Sequence, residues 1–125
     1  MLKNVFGFFL LMFLLGCSEG EKVTADTAIL GQDGTPQLLF FLDPNGGPCM
    51  MQGRILAGMA DELRGRVGIR EIRTTLPEDR PLFGQFGIRG LPSLILVDGG
   101  GKEIRRLTPG VKNVEEIRFL LNELK

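Results

Sequence analysis

Residues 37–43, QLLFFLD, form a continuous apolar run closed by Pro36 on one side and by DPNGG on the other. The run is too short for a helix and shows no polar face, so it reads as a central strand covered on both sides. Such a strand calls for apolar layers above and below it. A second run of the same kind, SLILV at 93–97, reads as another apolar strand.

The stretches between them supply the layers. Pro48 at a first-turn position opens a segment in which Met51, Ile55, Met59 and Leu63 recur at helical spacing, which predicts a helix to about Arg64 with a stop near Gly65. RVGIREI (66–72) alternates like a strand through Val67 and Ile69, and Pro77 to Phe86 reads as a loop with a short helix. DGGG (98–101) is a tight turn into KEIRRL (102–107), a strand with an exposed charged side. After Pro109 and Gly110, the residues Val114, Ile117, Leu120, Leu121 and Leu124 mark a closing amphipathic helix. The order β-α-β-α-β-β-α predicts an α/β fold, a mixed sheet with helices on both faces.

A length of 125 residues, 43% apolar and 24% charged, fits one domain with a modest core. The formal net charge is zero, so nucleic acid and anionic lipid headgroups are not expected as the main partners. Arg64, Arg66, Arg70 and Arg73 come nearest to a basic cluster, but no aromatic residue is interleaved to stack on bases, and they read as a solvated face.

The first sixteen residues, MLKNVFGFFLLMFLLG, place Lys3 ahead of an apolar run from Val5 to Leu15, the pattern of a secretory signal peptide. The run falls short of the roughly 20 residues that a spanning helix needs. LLGC, Leu14 to Cys17, resembles the lipobox of bacterial lipoproteins. That resemblance implies cleavage before Cys17 and lipid on its sulfur and new amino group, where several acyl chains hold a domain at a membrane. Ser18 in the next position resembles the pattern sorted to the outer membrane of Gram-negative cells. An ordinary signal peptide with an incidental cysteine is the competing reading. The expected organisation is a signal peptide over 1–16, a lipidated N-terminus and polar tether over 17–36, and a folded domain over 37–125, on the periplasmic side of a bacterial membrane. With Cys17 lipidated, Cys49 is the remaining thiol.

NGGPCMMQGRILAGMADEL, FGIRGLPSLILVDGGGKEIRRLTPG and the C-terminal helix together resemble the thioredoxin family over about residues 37–125. The resemblance implies a three-layer thioredoxin-like fold, a cis-proline at Pro92 facing the active site, and the glycine after the last strand at Gly110. It also exposes departures. Where the family reads Trp-Cys-Gly-Pro-Cys, this chain reads Asn45-Gly46-Gly47-Pro48-Cys49, and a buried acid of many members aligns with Phe40. The attacking cysteine has become glycine; the second cysteine remains.

A full dithiol cycle needs one thiolate to attack a disulfide and a second to resolve the mixed disulfide, so this chain alone cannot complete it. Histidine is absent, which removes Cys-His nucleophilic catalysis and imidazole metal ligation; no cofactor and no metal site are expected. Cys49 is the candidate exchanging residue of a thioredoxin-like oxidoreductase lacking its first catalytic cysteine, with Gly46 in place of a side chain expected to uncover part of it. Helix first turns favour a thiolate and burial opposes it. Gly46, Gly47, Pro48, Leu91 and Pro92 are the candidate substrate-binding residues, and the expected partner is an exported thiol or disulfide protein, or a small thiol. Two other readings are open: Cys49 as a small buried hydrophobe, and a non-catalytic module that holds a peptide against the backbone at Leu91. Asp43 reads as a turn residue or a proton acceptor, and Met50 and Met51 as core packing rather than a soft-metal pair.

Overall fold

Gln37–Leu42 form β1, and all but the first of its residues are buried. In this computed structural model, which describes residues 34–124, β1 lies between β2 (Gly68–Arg73), to which it is parallel, and β3 (Ser93–Val97), to which it is antiparallel. The sheet is completed by β4 (Glu103–Arg106), antiparallel to β3, giving the order β2-β1-β3-β4. The signal peptide over 1–16, Cys17 and the tether as far as residue 33 lie outside the described residues.

Alternation along β1 divides the core in two, because successive side chains point to opposite faces. Leu38, Phe40 and Leu42 pack with Cys49, Leu56, Met59 and Leu63 and with Ile117, Leu120 and Leu121. These come from helices α1 (Gly47–Gly58), α2 (Ala60–Leu63) and α4 (Val114–Leu121). On the other face Leu39 and Phe41 pack with Ile72, Ile95 and Val97 and with Leu82 of α3 (Arg80–Gln85) and neighbouring Phe86. Phe41 meets the Phe83 ring edge-on, with centroids 5.2 Å apart. This is the α/β mixed sheet with helices on both faces that the resemblance implies.

Three details differ from the sequence pattern. The expected helix to Arg64 is broken at Gly58, a poor helix former, and Met59, whose turn carries its side chain inward before α2 begins. The buried stripe of α1 is Cys49, Gln52 and Leu56; Met51 is 55% exposed, and Ile55 is only partly buried. In β2 the fully buried isoleucine is Ile72. Ile69 stays 41% exposed because β2 is an edge strand among the described residues.

The register decides where the two ends of the sheet lie. Gln37 pairs with Val97 at one end, where Gly34 rests against Gly99 of the β3–β4 turn so closely that a Cβ on Gly99 would overlap the Gly34 carbonyl. Asp98 closes that turn by accepting from the N–H groups of Gly100 and Lys102, both at 2.9 Å. Phe41 pairs with Ser93 at the opposite end. The β1–α1 turn, residues 43–46, and the residues before β3, 90–92, are therefore neighbours there.

Candidate functional site

The β1–α1 connection is an Asx turn. Asp43 Oδ1 accepts from the Asn45 N–H at 2.9 Å, and the Asp43 carbonyl accepts from the Gly46 N–H at 3.0 Å. These bonds account for Asp43 and Asn45 as turn residues. Gly46 is the N-cap of α1, Pro48 lies in its first turn, and the Met50 N–H closes that turn on the Gly46 carbonyl at 3.0 Å.

Cys49 points inward and is 3% exposed, which overturns the expectation that Gly46 leaves it partly uncovered. The backbone of the turn closes over the sulfur instead, and the Asp43 N–H donates to Sγ at 3.4 Å. Phe40, in place of an acid, packs in the same apolar cluster. Gly46 has φ −81° and ψ 126°, a conformation open to any residue. A Cβ there would lie 3.5 Å from Cys49 Sγ and 3.3 Å from the Asp43 carbonyl oxygen, so this position faces the sulfur directly. Met50 and Met51 follow on the outer surface, 51% and 55% exposed, and are not core residues.

The other wall is built by two loops. The Leu91–Pro92 peptide bond is cis, and the Pro92 carbonyl accepts from the Gly110 N–H at 2.9 Å. Gly110 has φ 121°, a left-handed value that favours glycine. A Cβ on Gly90 would approach the Pro109 ring to 2.9 Å, so the 90–92 and 109–110 segments touch through a missing side chain. Leu91 packs against both cores, and the Ser93 hydroxyl donates to the Gly90 carbonyl at 2.6 Å. A cleft of about 360 Å³, lined by Phe86, Arg89, Ser93, Arg106 and Pro109 among others, adjoins this loop pair; Cys49 does not line it.

No family model matches the chain. Individual relatives do. A thioredoxin of Chlorobaculum thiosulfatiphilum is 35% identical over 54 residues, 43% of this chain and 48% of the relative. A thioredoxin of Haemophilus influenzae is 35% identical over 65 residues, 52% of this chain and 59% of the relative. Thioredoxin 1 of a Nostoc species is 31% identical over 88 residues, 68% of this chain and 79% of the relative. The chain belongs to the thioredoxin family. It spans only about half the length of the first two relatives.

Within the thioredoxin family's site pattern, the structure brings Gly46, Gly47, Pro48 and Cys49 to the same end of the sheet as Leu91 and Pro92. Cys17, the other cysteine, lies outside the described residues, among which Cys49 is a free thiol. Sequence reasoning missed Gln52. It is fully buried one turn after Cys49, accepts from the Lys112 N–H at 2.6 Å and donates to the Lys112 carbonyl at 3.2 Å. The sequence carried no signal for it, because helical spacing through Met51, Ile55 and Met59 leaves Gln52 off the expected buried face. Asp79 was missed too; it is buried, accepts from the Arg73 N–H at 2.9 Å and pairs with Arg70 at 3.5 Å. The arginines that looked like a basic cluster are each engaged. Arg64 pairs with Asp61, Arg70 with Asp79 and Arg73 with Glu71, while Arg66 donates to the Leu121 carbonyl.

Proposed function

We propose that this protein takes part in thiol–disulfide exchange through Cys49, on the periplasmic side of a bacterial membrane to which lipid on Cys17 tethers it, the outer membrane being favoured. The observation that carries the reading is the empty side-chain position at Gly46, 3.5 Å from the Cys49 sulfur, in a chain whose relatives are thioredoxins. A partner sulfur entering over Gly46, Gly47 and Pro48 takes that place. The Cys49 thiolate attacks one sulfur of a partner disulfide, forms a mixed disulfide and releases the other sulfur as a thiolate. A thiol of an exported protein or a small thiol then attacks the mixed disulfide, leaves bonded to the partner sulfur, and returns Cys49 as thiolate. Because Cys49 is almost wholly covered, the 43–46 turn must move aside for the first step.

Trapping tests this directly. Mixed disulfides captured in cell envelopes by acid quenching are expected with the natural chain and lost with Cys49→Ser. A thiol that reacts only after the protein unfolds overturns the reading. The burial of Cys49 favours one alternative, a module that binds an extended peptide beside Leu91 and Pro92 without covalent chemistry. Partners captured equally well by Cys49→Ser would select that alternative.

A further inference from the structure

We infer that Gln52 is a positioning residue that holds the loop wall opposite Cys49 in register with the cysteine-bearing helix. The inference rests on the reading that a partner segment docks between Cys49 and the Pro92 loop. It begins from an energetic oddity. Gln52 is fully buried on the stripe that α1 shares with Cys49 and Leu56, where a carboxamide without partners is costly. Both ends of the carboxamide are satisfied by one residue sixty positions away, since Oε1 accepts from the Lys112 N–H and Nε2 donates to the Lys112 carbonyl. The side chain acts as a short piece of extended backbone and pairs with the chain between β4 and α4.

That chain is fastened in turn to the Pro92 loop. Gly110 N–H donates to the Pro92 carbonyl, Gly90 abuts the Pro109 ring, and the Lys112 ammonium donates to Thr108 Oγ1 at 3.1 Å across the same loop. The contacts run without a break from Cys49 through one turn of α1 to Gln52, then to Lys112, Gly110 and Pro92. Gln52 is the side chain in this series that joins the helix to the loops by hydrogen bonds. An apolar residue of the same size would fill the space and leave the Lys112 N–H and carbonyl without these partners. The loop would then shift relative to the sulfur with the core intact.

The test compares Gln52→Met, which keeps the volume and removes both bonds, with the natural protein. The first readout is amide hydrogen exchange at Gly110, whose N–H touches Pro92 and not Gln52. Exchange there is expected to quicken about tenfold, while the β3 amides of Leu94 to Leu96 stay unchanged. The second is formation of the mixed disulfide with a cysteine peptide disulfide against a small aromatic disulfide. The peptide concentration for half-maximal rate is expected to rise about fivefold or more, with the small reagent changed less than about twofold. Unchanged Gly110 exchange, or peptide and small-reagent rates that move together, overturns the inference. If the natural protein reacts with neither disulfide, the thiol-exchange reading fails, and Gly110 exchange still decides the role of Gln52. Should Gln52→Met fail to fold, Gln52→Asn keeps a neutral carboxamide that is one methylene too short to reach both Lys112 groups. The same acceleration, smaller in size, is expected from it, and its absence counts against the inference equally.

Discussion

A side chain on Gly46 would reach the Cys49 sulfur from the φ and ψ that Gly46 already has, and its one tight contact, 3.3 Å to the Asp43 carbonyl, is relieved by a small movement of the turn. Gly46→Cys is therefore expected to form a disulfide with Cys49 on oxidation, losing two hydrogens by mass, and to turn over faster than the natural chain in a protein-disulfide reduction assay. A folded variant with both thiols free under oxidising conditions would contradict the geometry. The depth of Cys49 was misjudged from the sequence and the cis bond at Pro92 came from the family resemblance, whereas Pro48 as a first-turn residue was readable by its own chemistry. Gln52 was not, because a glutamine on a helix looks like a solvent-facing residue until its partner is known. That partner is the backbone of Lys112, which no pattern of residue types reveals.

Elements with a clear apolar period had a legible buried face, and those with an ambiguous period were placed along the chain with the wrong face inward. The closing helix α4 buries Ile117, Leu120 and Leu121 as its spacing predicts. Its start is fixed by a reciprocal cap, with Asn113 Oδ1 accepting from the Glu116 N–H and the Glu116 carboxylate accepting from the Asn113 N–H, both at 2.9 Å. Asn113→Ala is expected to cost about 1 kcal/mol in urea unfolding. In α1 several faces carry apolar residues, so the periodicity through Met51 was as good on paper as the true stripe through Cys49 and Leu56; the packing against β1 settled the choice. Between α2 and α4, Arg118 donates to both oxygens of Glu62, at 2.7 and 3.1 Å, and this hydrogen bonding holds the Glu62 carboxyl below its ordinary value. A carboxyl with a lower value folded than unfolded contributes stability above its unfolded value, and the contribution disappears as pH falls through the folded one. Both groups are partly solvated, so the effect is small. Glu62→Gln is expected to lower the urea midpoint slightly at neutral pH and to match the natural protein in acid; a gap that widens on acidification would reverse the assignment.

For the molecule as a whole, β1 is the shared wall of two cores, with Phe40 in one and Phe41 in the other. The apolar run of residues 37–43 announced this layering because neither face of the strand is left for water. Phe40→Ala and Phe41→Ala are each expected to cost about 3–5 kcal/mol. Since both rings hang from one strand, urea unfolding followed by circular dichroism and by amide resonances of α3 and α4 should remain a single transition in either variant. Separate transitions for the two layers would show that the faces are independent. The same strand also sets a direction. The chain comes to β1 beside Gly99 and leaves it toward Cys49, so roughly 20 Å of strand stands between the two. A grip placed at residue 34 itself would therefore sit at the end of β1 remote from Cys49, and the Cys49 end of the sheet would face away from it.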